Sequence, residues 1–198
     1  SGNLQSAYKA LELISNYKKK IYITSNSKDL LKVDKIILPG VGAFADCMKG
    51  LKSISGMIDI LNEVVLEKKK PFLGICVGMQ LLATEGKEKG NHKGLGWIAG
   101  KVIKIKKNKK IKIPHMGWNT VKIISKHPIL KRKEFESYFV HSYNFICKDK
   151  KNILATCDYQ QKITAIVGKE NIIGTQFHPE KSQKIGLEIL KNFVSWNY

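Results

Sequence analysis

The chain has 198 residues, enough for one domain with a sizeable core or a domain with a small lobe. Lys and Arg number 35 against 16 acidic residues, for a formal net charge of +19, yet Arg132 is the only arginine; without arginine's bidentate fork, nucleic-acid binding is disfavoured. No run approaches about 18 apolar residues, which excludes a helical membrane span, and the start carries no secretory pattern, so a cytoplasmic protein is expected.

The first element is a helix: Leu4, Ala7, Tyr8, Leu11 and Ile14 fall on one stripe, with Asn3 as its N-cap. Ile21-Tyr22-Ile23 reads as a short strand and Lys35-Ile36-Ile37-Leu38 as a second, ending at Pro39-Gly40. Helical patterns over 44–51 and 57–67 lead to an apolar strand at Phe72-Leu73-Gly74-Ile75. Continuous apolar runs alternating with helices suggest parallel strands buried on both faces. From Trp97 to about Ile124, Ile and Val alternate with Lys, as in antiparallel hairpins, and 106–110 reads as a solvated turn. Further strands are expected at 137–146, 153–157, 163–167 and 171–176, and Ile185, Ile189, Phe193 and Trp196 mark a C-terminal helix. The expected fold is a three-layer α/β domain over residues 1–198, with a mostly parallel central sheet, helices on both faces and an antiparallel excursion in its second half. A doubly wound fold usually opens on a strand, so a first strand is expected to be missing from this chain.

Gly74-Ile75-Cys76-Val77-Gly78, followed by Met79-Gln80-Leu81-Leu82, has the layout of a nucleophile elbow with sulfur in place of oxygen. The glycines permit a sharp turn and a close backbone approach, and a helix N-terminus favours a thiolate. The N–H of Val77 would face the same spot and could hold an oxyanion. A glycine-flanked buried cysteine explains this motif alone about as well. The other cysteines, Cys47, Cys147 and Cys157, read as small hydrophobes, and with no C-x-x-C spacing neither a disulfide framework nor a zinc site is indicated.

A thiolate needs a base and a group to orient it. Among the five histidines, His92 reads as solvated and His127 as a turn residue, while His115 and His141 are more often structural than basic. His178, in Gln176-Phe177-His178-Pro179-Glu180, follows a strand where α/β folds place functional loops. In an extended chain residues i and i+2 point the same way, so Glu180 can sit beside His178, with Pro179 stiffening the pair. A strand-end histidine beside a solvent-exposed glutamate is the bland alternative. Together with the elbow, a Cys76–His178–Glu180 triad is the better reading. Pro39-Gly40-Val41-Gly42-Ala43-Phe44 could supply a second oxyanion donor; no Walker-type lysine and hydroxyl follow it, which disfavours a phosphate loop.

These segments, with Pro114-His115-Met116-Gly117-Trp118-Asn119 and Tyr138-Phe139-Val140-His141-Ser142-Tyr143, resemble the class I (triad) glutamine amidotransferases, and within them the glutaminase subunits of imidazole glycerol phosphate synthase. The resemblance runs along essentially the whole chain, with five motifs in order. It implies Cys76 as nucleophile, His178 as base and acid, Glu180 as its orienter, and the N–H groups of Val41 and Val77 as the oxyanion hole. It further implies Gly40, Gly42, Gln80, His141, Ser142 and Tyr143 around the substrate L-glutamine. Asn3, Met116, Trp118, Tyr138 and Lys181 match positions facing a (β/α)8-barrel synthase subunit, the partner that receives ammonia in histidine biosynthesis. No cofactor is implied. Two alternatives stay open: a similar amidotransferase serving a sugar-modifying synthase and, remotely, a non-catalytic basic nucleic-acid-binding domain.

Overall fold

The computed structural model describes residues 4–15, 19–107 and 111–198. Strands β1 (Ile36–Gly40), β2 (Phe72–Cys76), β6 (His115–Ile123), β7 (Glu134–His141), β9 (Ile153–Asp158), β10 (Lys162–Lys169) and β11 (Ile172–Thr175) form a seven-stranded sheet. Its order is β1-β2-β11-β10-β9-β6-β7. A four-stranded sheet, ordered β4-β3-β5-β8, is built from β3 (Glu85–Gly86), β4 (His92–Lys93), β5 (Gly100–Lys104) and β8 (Tyr143–Cys147). The helices are α1 (Leu4–Ser15), α2 (Phe44–Ser53), α3 (Met57–Asn62), α4 (Val77–Gln80) and α5 (Gln183–Ser195).

The α/β class is as expected, but the parallel part of the large sheet is small. Only β1–β2 and β2–β11 pair parallel; β11–β10, β10–β9, β9–β6 and β6–β7 are antiparallel, so the sheet is mixed rather than mostly parallel. The lysine-alternating middle divides between the two sheets, β5 joining the small one and β6 the large one. The strand expected at 137–146 breaks at Ser142, where the chain passes from one sheet to the other. Ile21-Tyr22-Ile23 is not a strand: among the described residues it pairs with no strand of either sheet, and Tyr22 and Ile23 are exposed. The N-cap position Asn3 and part of the turn at 106–110 lie outside the described residues.

The centre of the core is β2, buried at every position between two parallel neighbours. Phe72, Leu73 and Ile75 are fully buried, each worth about 1.5–3 kcal/mol of transfer from water. Gly186, Ile189, Leu190 and Phe193 form the buried stripe of α5, at i, i+3, i+4 and i+7, and α5 packs on α1. Among the described residues no helix is long and apolar enough to cross a membrane.

Candidate active site

The end of β2 delivers Cys76 into a backbone conformation that L-residues seldom adopt, φ 55° and ψ −111°. The turn closes only because its flanks lack side chains: a Cβ on Gly78 would lie 1.9 Å from Leu38 O, and one on Gly74 would lie 2.5 Å from Gly78 O. The helix behind the cysteine, Val77–Gln80, is a single turn. The carbonyls that would continue it are taken by other strands of chain: Leu95 N–H bonds Leu81 O, Ile98 N–H bonds Leu82 O, and Gly96 N–H bonds Ala83 O. A one-turn helix contributes little macrodipole, so charge on the sulfur must be met by individual donors.

One such donor is Gln176, whose Nε2 lies 3.7 Å from Cys76 Sγ. Its Oε1 accepts from Gln80 Nε2 at 2.9 Å, which fixes the amide so that its N–H faces the sulfur. Sequence reading passed over Gln176; its position two residues before His178 on an extended run was the available signal.

His178 and Glu180 meet, His178 Nδ1 donating to Glu180 Oε1 at 2.9 Å with both side chains buried. The route differs from the expected extended one, because Pro179–Lys181 is one turn of 3-10 helix, for which proline at the first position is well suited. Burial alone would lower the imidazole's pKa; hydrogen bonds with Cys76 and with Glu180 outweigh it and raise the ring to about 9. The His178 backbone is also fixed, its N–H bonding Tyr138 O at 3.0 Å and its carbonyl accepting from Ser182 Oγ at 2.7 Å.

Cys76 and His178 open onto a cavity of about 340 Å³. Val41, Gly42, Val77 and Gln80 line one side of it, and His141, Ser142 and Tyr143 another. Gly40 pairs with Cys76 in the β1–β2 register, which brings the Gly40–Gly42 loop beside the elbow. Glu88, absent from the sequence reading, also lines the cavity and accepts from Phe44 N–H at 2.8 Å. A larger groove of about 580 Å³, between α2 and 91–93, carries Lys49, Lys52 and Lys93 but lies apart from the triad.

Met116, Trp118 and Tyr138 share the outward face of the β6–β7 pair, Trp118 opposite Tyr138 with ring centroids 6.1 Å apart. Met116 is 61% exposed and Trp118 47%. Exposed Lys181 lies in the 3-10 turn that packs on β7, while Asn3 lies outside the described residues. The remaining thiols suit a packing role: burial pushes Cys147 and Cys157 up to about 12 and also raises half-buried Cys47. His92, expected to be solvated, bonds Glu88 O at 3.0 Å through Nε2. His127 sits in a turn as expected, its Nδ1 accepting from Ile129 N–H at 3.3 Å.

A thiol bonded to an imidazole that is in turn bonded to a buried carboxylate, with thiol and imidazole lining a cavity, suits acyl transfer, and the relatives agree. The family profile "Glutamine amidotransferase class-I" matches residues 4–196. The chain is 49% identical to imidazole glycerol phosphate synthase subunit HisH of Rhodopseudomonas palustris, covering 99% of this chain and 95% of that protein. It is also 49% identical to the same subunit of Zymomonas mobilis, covering 100% and 92% respectively. In fold it resembles a solved glutamine amidotransferase (TM-score 0.73, 17% identity, 96% and 92% covered). A second fold neighbour is the glutaminase domain of Trypanosoma brucei CTPS (TM-score 0.64, 18% identity, 100% and 90% covered). The chain belongs to the class I glutamine amidotransferases, and within them to the family of imidazole glycerol phosphate synthase HisH subunits.

Proposed function

We propose that this chain hydrolyses L-glutamine at Cys76 and passes the ammonia to a (β/α)8-barrel synthase subunit that forms imidazole glycerol phosphate. The His178–Glu180 pair, buried and joined through His178 to Cys76 where both line the cavity, carries this reading. Sγ attacks the side-chain carboxamide carbon, and the tetrahedral oxyanion is held by the N–H groups of Val77 and Val41. His178 gives its proton to the departing nitrogen as the C–N bond breaks, leaving a γ-glutamyl thioester and ammonia. Water, deprotonated by His178, then cleaves the thioester to glutamate and restores the thiol. Gln80 and the Ser142–Tyr143 segment frame the substrate, and the Glu88 carboxylate is a partner for its α-ammonium group.

Ammonia released into water at neutral pH is mostly protonated and lost as a nucleophile, so a receiving subunit must seal the cavity mouth. Exposed Met116, Trp118 and Lys181, with half-buried Tyr138 among them, supply an aromatic-rich surface for it. The test is reconstitution with the barrel subunit and its acceptor, comparing glutamine with ammonium as nitrogen donor. Cys76→Ala should abolish the glutamine-driven reaction and spare the ammonium-driven one; loss of both, or of neither, sinks the assignment.

A further inference from the structure

The corner at Ser142, where the chain leaves one sheet for the other, walls the cavity beside Cys76. The His141 ring spans that corner, with Nδ1 2.7 Å from Tyr143 O. A carbonyl only accepts, so Nδ1 carries the proton. His141 Nε2 lies 2.9 Å from His115 Nδ1, and His115 Nε2 lies 3.1 Å from Asn119 Nδ2. That same amide nitrogen donates to Asp158 O at 2.8 Å, which fixes which end of the Asn119 side chain is the donor. Read from both ends, the protons have one arrangement. Asn119 donates to His115 Nε2, His115 Nδ1–H donates to His141 Nε2, and His141 Nδ1–H donates to Tyr143 O.

The arrangement requires both rings to be neutral, and burial ensures it by pushing His115 down to about 4 and His141 to about 3. The His115 ring is held flat between Phe139, at 4.7 Å, and Tyr159, at 4.0 Å. Both ring nitrogens of His141 are therefore committed to protein partners, and the ring has no hydrogen bond left for a substrate.

We propose that His115, Asn119 and His141 are positioning residues for glutamine: their proton chain locks the Ser142–Tyr143 corner in the shape that receives the amino-acid end of the substrate. His141 acts through the corner and does not touch glutamine itself. This rests on the glutaminase reading above. It also converts a residue that the family resemblance places at the substrate into part of the frame behind it, and recruits two residues from the neighbouring strand.

The experiment compares wild type, His115→Phe and His115→Asn in complex with the barrel subunit. Phenylalanine keeps the stacking and removes both nitrogens; asparagine puts a carboxamide nitrogen at the Nδ1 position and restores the donor to His141. An unsatisfied buried acceptor should raise the KM for glutamine about tenfold in His115→Phe, with kcat held within about threefold, and His115→Asn should recover most of that loss. Ring 15N NMR supplies a readout that does not depend on turnover: His141 should be protonated at Nδ1 in both wild type and His115→Phe, held there by Tyr143 O, while its Nε2 resonance should shift in His115→Phe as that acceptor loses its donor. Wild-type His141 protonated at Nε2, or an unchanged KM in His115→Phe, overturns the proposal. If His115→Phe fails to fold, the wild-type tautomer and the KM of His115→Asn, which should stay within about threefold of wild type, still decide it. Absence of any glutamine turnover in the wild-type complex would instead overturn the glutaminase reading, and the NMR result would still judge the proton chain.

Discussion

Gln176 directs its amide N–H at Cys76 Sγ across 3.7 Å, and it can do so only because Gln80 holds the other end of that amide. Both glutamines are buried, so the donor is preorganised in a low-dielectric site where it is worth more than in water. Gln176→Leu should slow glutamine acylation of Cys76 about tenfold, the cost of one hydrogen bond to a charged group. Gln80→Leu leaves Gln176 free to turn over and should cost less at the sulfur. Rates of Cys76 alkylation by iodoacetamide, taken from pH 5 to 9, separate loss of this donor from loss of substrate binding. Equal rates in wild type and Gln176→Leu would mean that the contact does not act on the nucleophile.

The raised pKa of His178 links the triad to stability. Burial opposes the charged ring, but the bonds to Cys76 and Glu180 more than compensate, bringing it to about 9 against an ordinary value of 6.5. A group whose folded value is raised contributes stability that is full below its unfolded pKa and is lost as pH rises through its folded one. Wild type should therefore lose stability between about pH 6.5 and 9, and Glu180→Gln should flatten that limb while lowering kcat. Urea unfolding midpoints across this range provide the check; an identical alkaline limb in Glu180→Gln would show that the pair does not hold the proton.

The meeting of Cys76, His178 and Glu180 was legible in the sequence because each sits in a local signature: a Gly-x-Cys-x-Gly turn after an apolar strand, and His-Pro-Glu after another. Gln176 and Glu88 were not legible, since neither residue type is rare in such positions and their meaning comes only from atoms far off in the chain. His115 is a similar case, because its role depends on the β6–β7 register that sets it opposite His141. For the fold, apolar runs located β2 and β11 well. They did not reveal that most neighbours pair antiparallel, because burial on both faces erases the alternation that separates the two arrangements. Ile21-Tyr22-Ile23 has the composition of a strand, but a strand also needs a neighbour.

Glycine substitutions should divide sharply by surroundings. Gly78→Ala drives a methyl group into the Leu38 carbonyl, a backbone atom that cannot swing away, so the elbow must open and soluble yield or activity should collapse. Gly50, in the middle of α2, has open space where a methyl group would stand, with nothing within 4 Å. Gly50→Ala should therefore stabilise the protein by about 0.5–1 kcal/mol through helix propensity and a less flexible unfolded chain. Thermal unfolding of both variants tests the contrast. A well-folded, fully active Gly78→Ala would mean that the elbow does not need this close approach.

At acid pH the buried histidines take over. Burial holds His115 and His127 near 4 and His141 near 3, all well below the unfolded value of 6.5. For a lowered histidine the sign reverses: the unfolded chain binds protons that the folded one refuses, so stability is full above about pH 6.5 and declines as pH falls towards 4. Each group contributes at most about 1.4 kcal/mol per pH unit, and less at half-buried His127, where solvent screens the charge. His178 cannot offset this loss, because its contribution is already complete below pH 6.5. His127→Asn keeps an acceptor for the Ile129 N–H but removes one titrating ring, so it isolates one share of the slope from that of the carboxylates. Plotted between pH 6.5 and 5, its unfolding free energy should fall less steeply than that of wild type, by up to about a third of the slope. Parallel slopes for the two proteins would show that His127 carries no share of the acid limb and leave it to His115, His141 and the carboxylates.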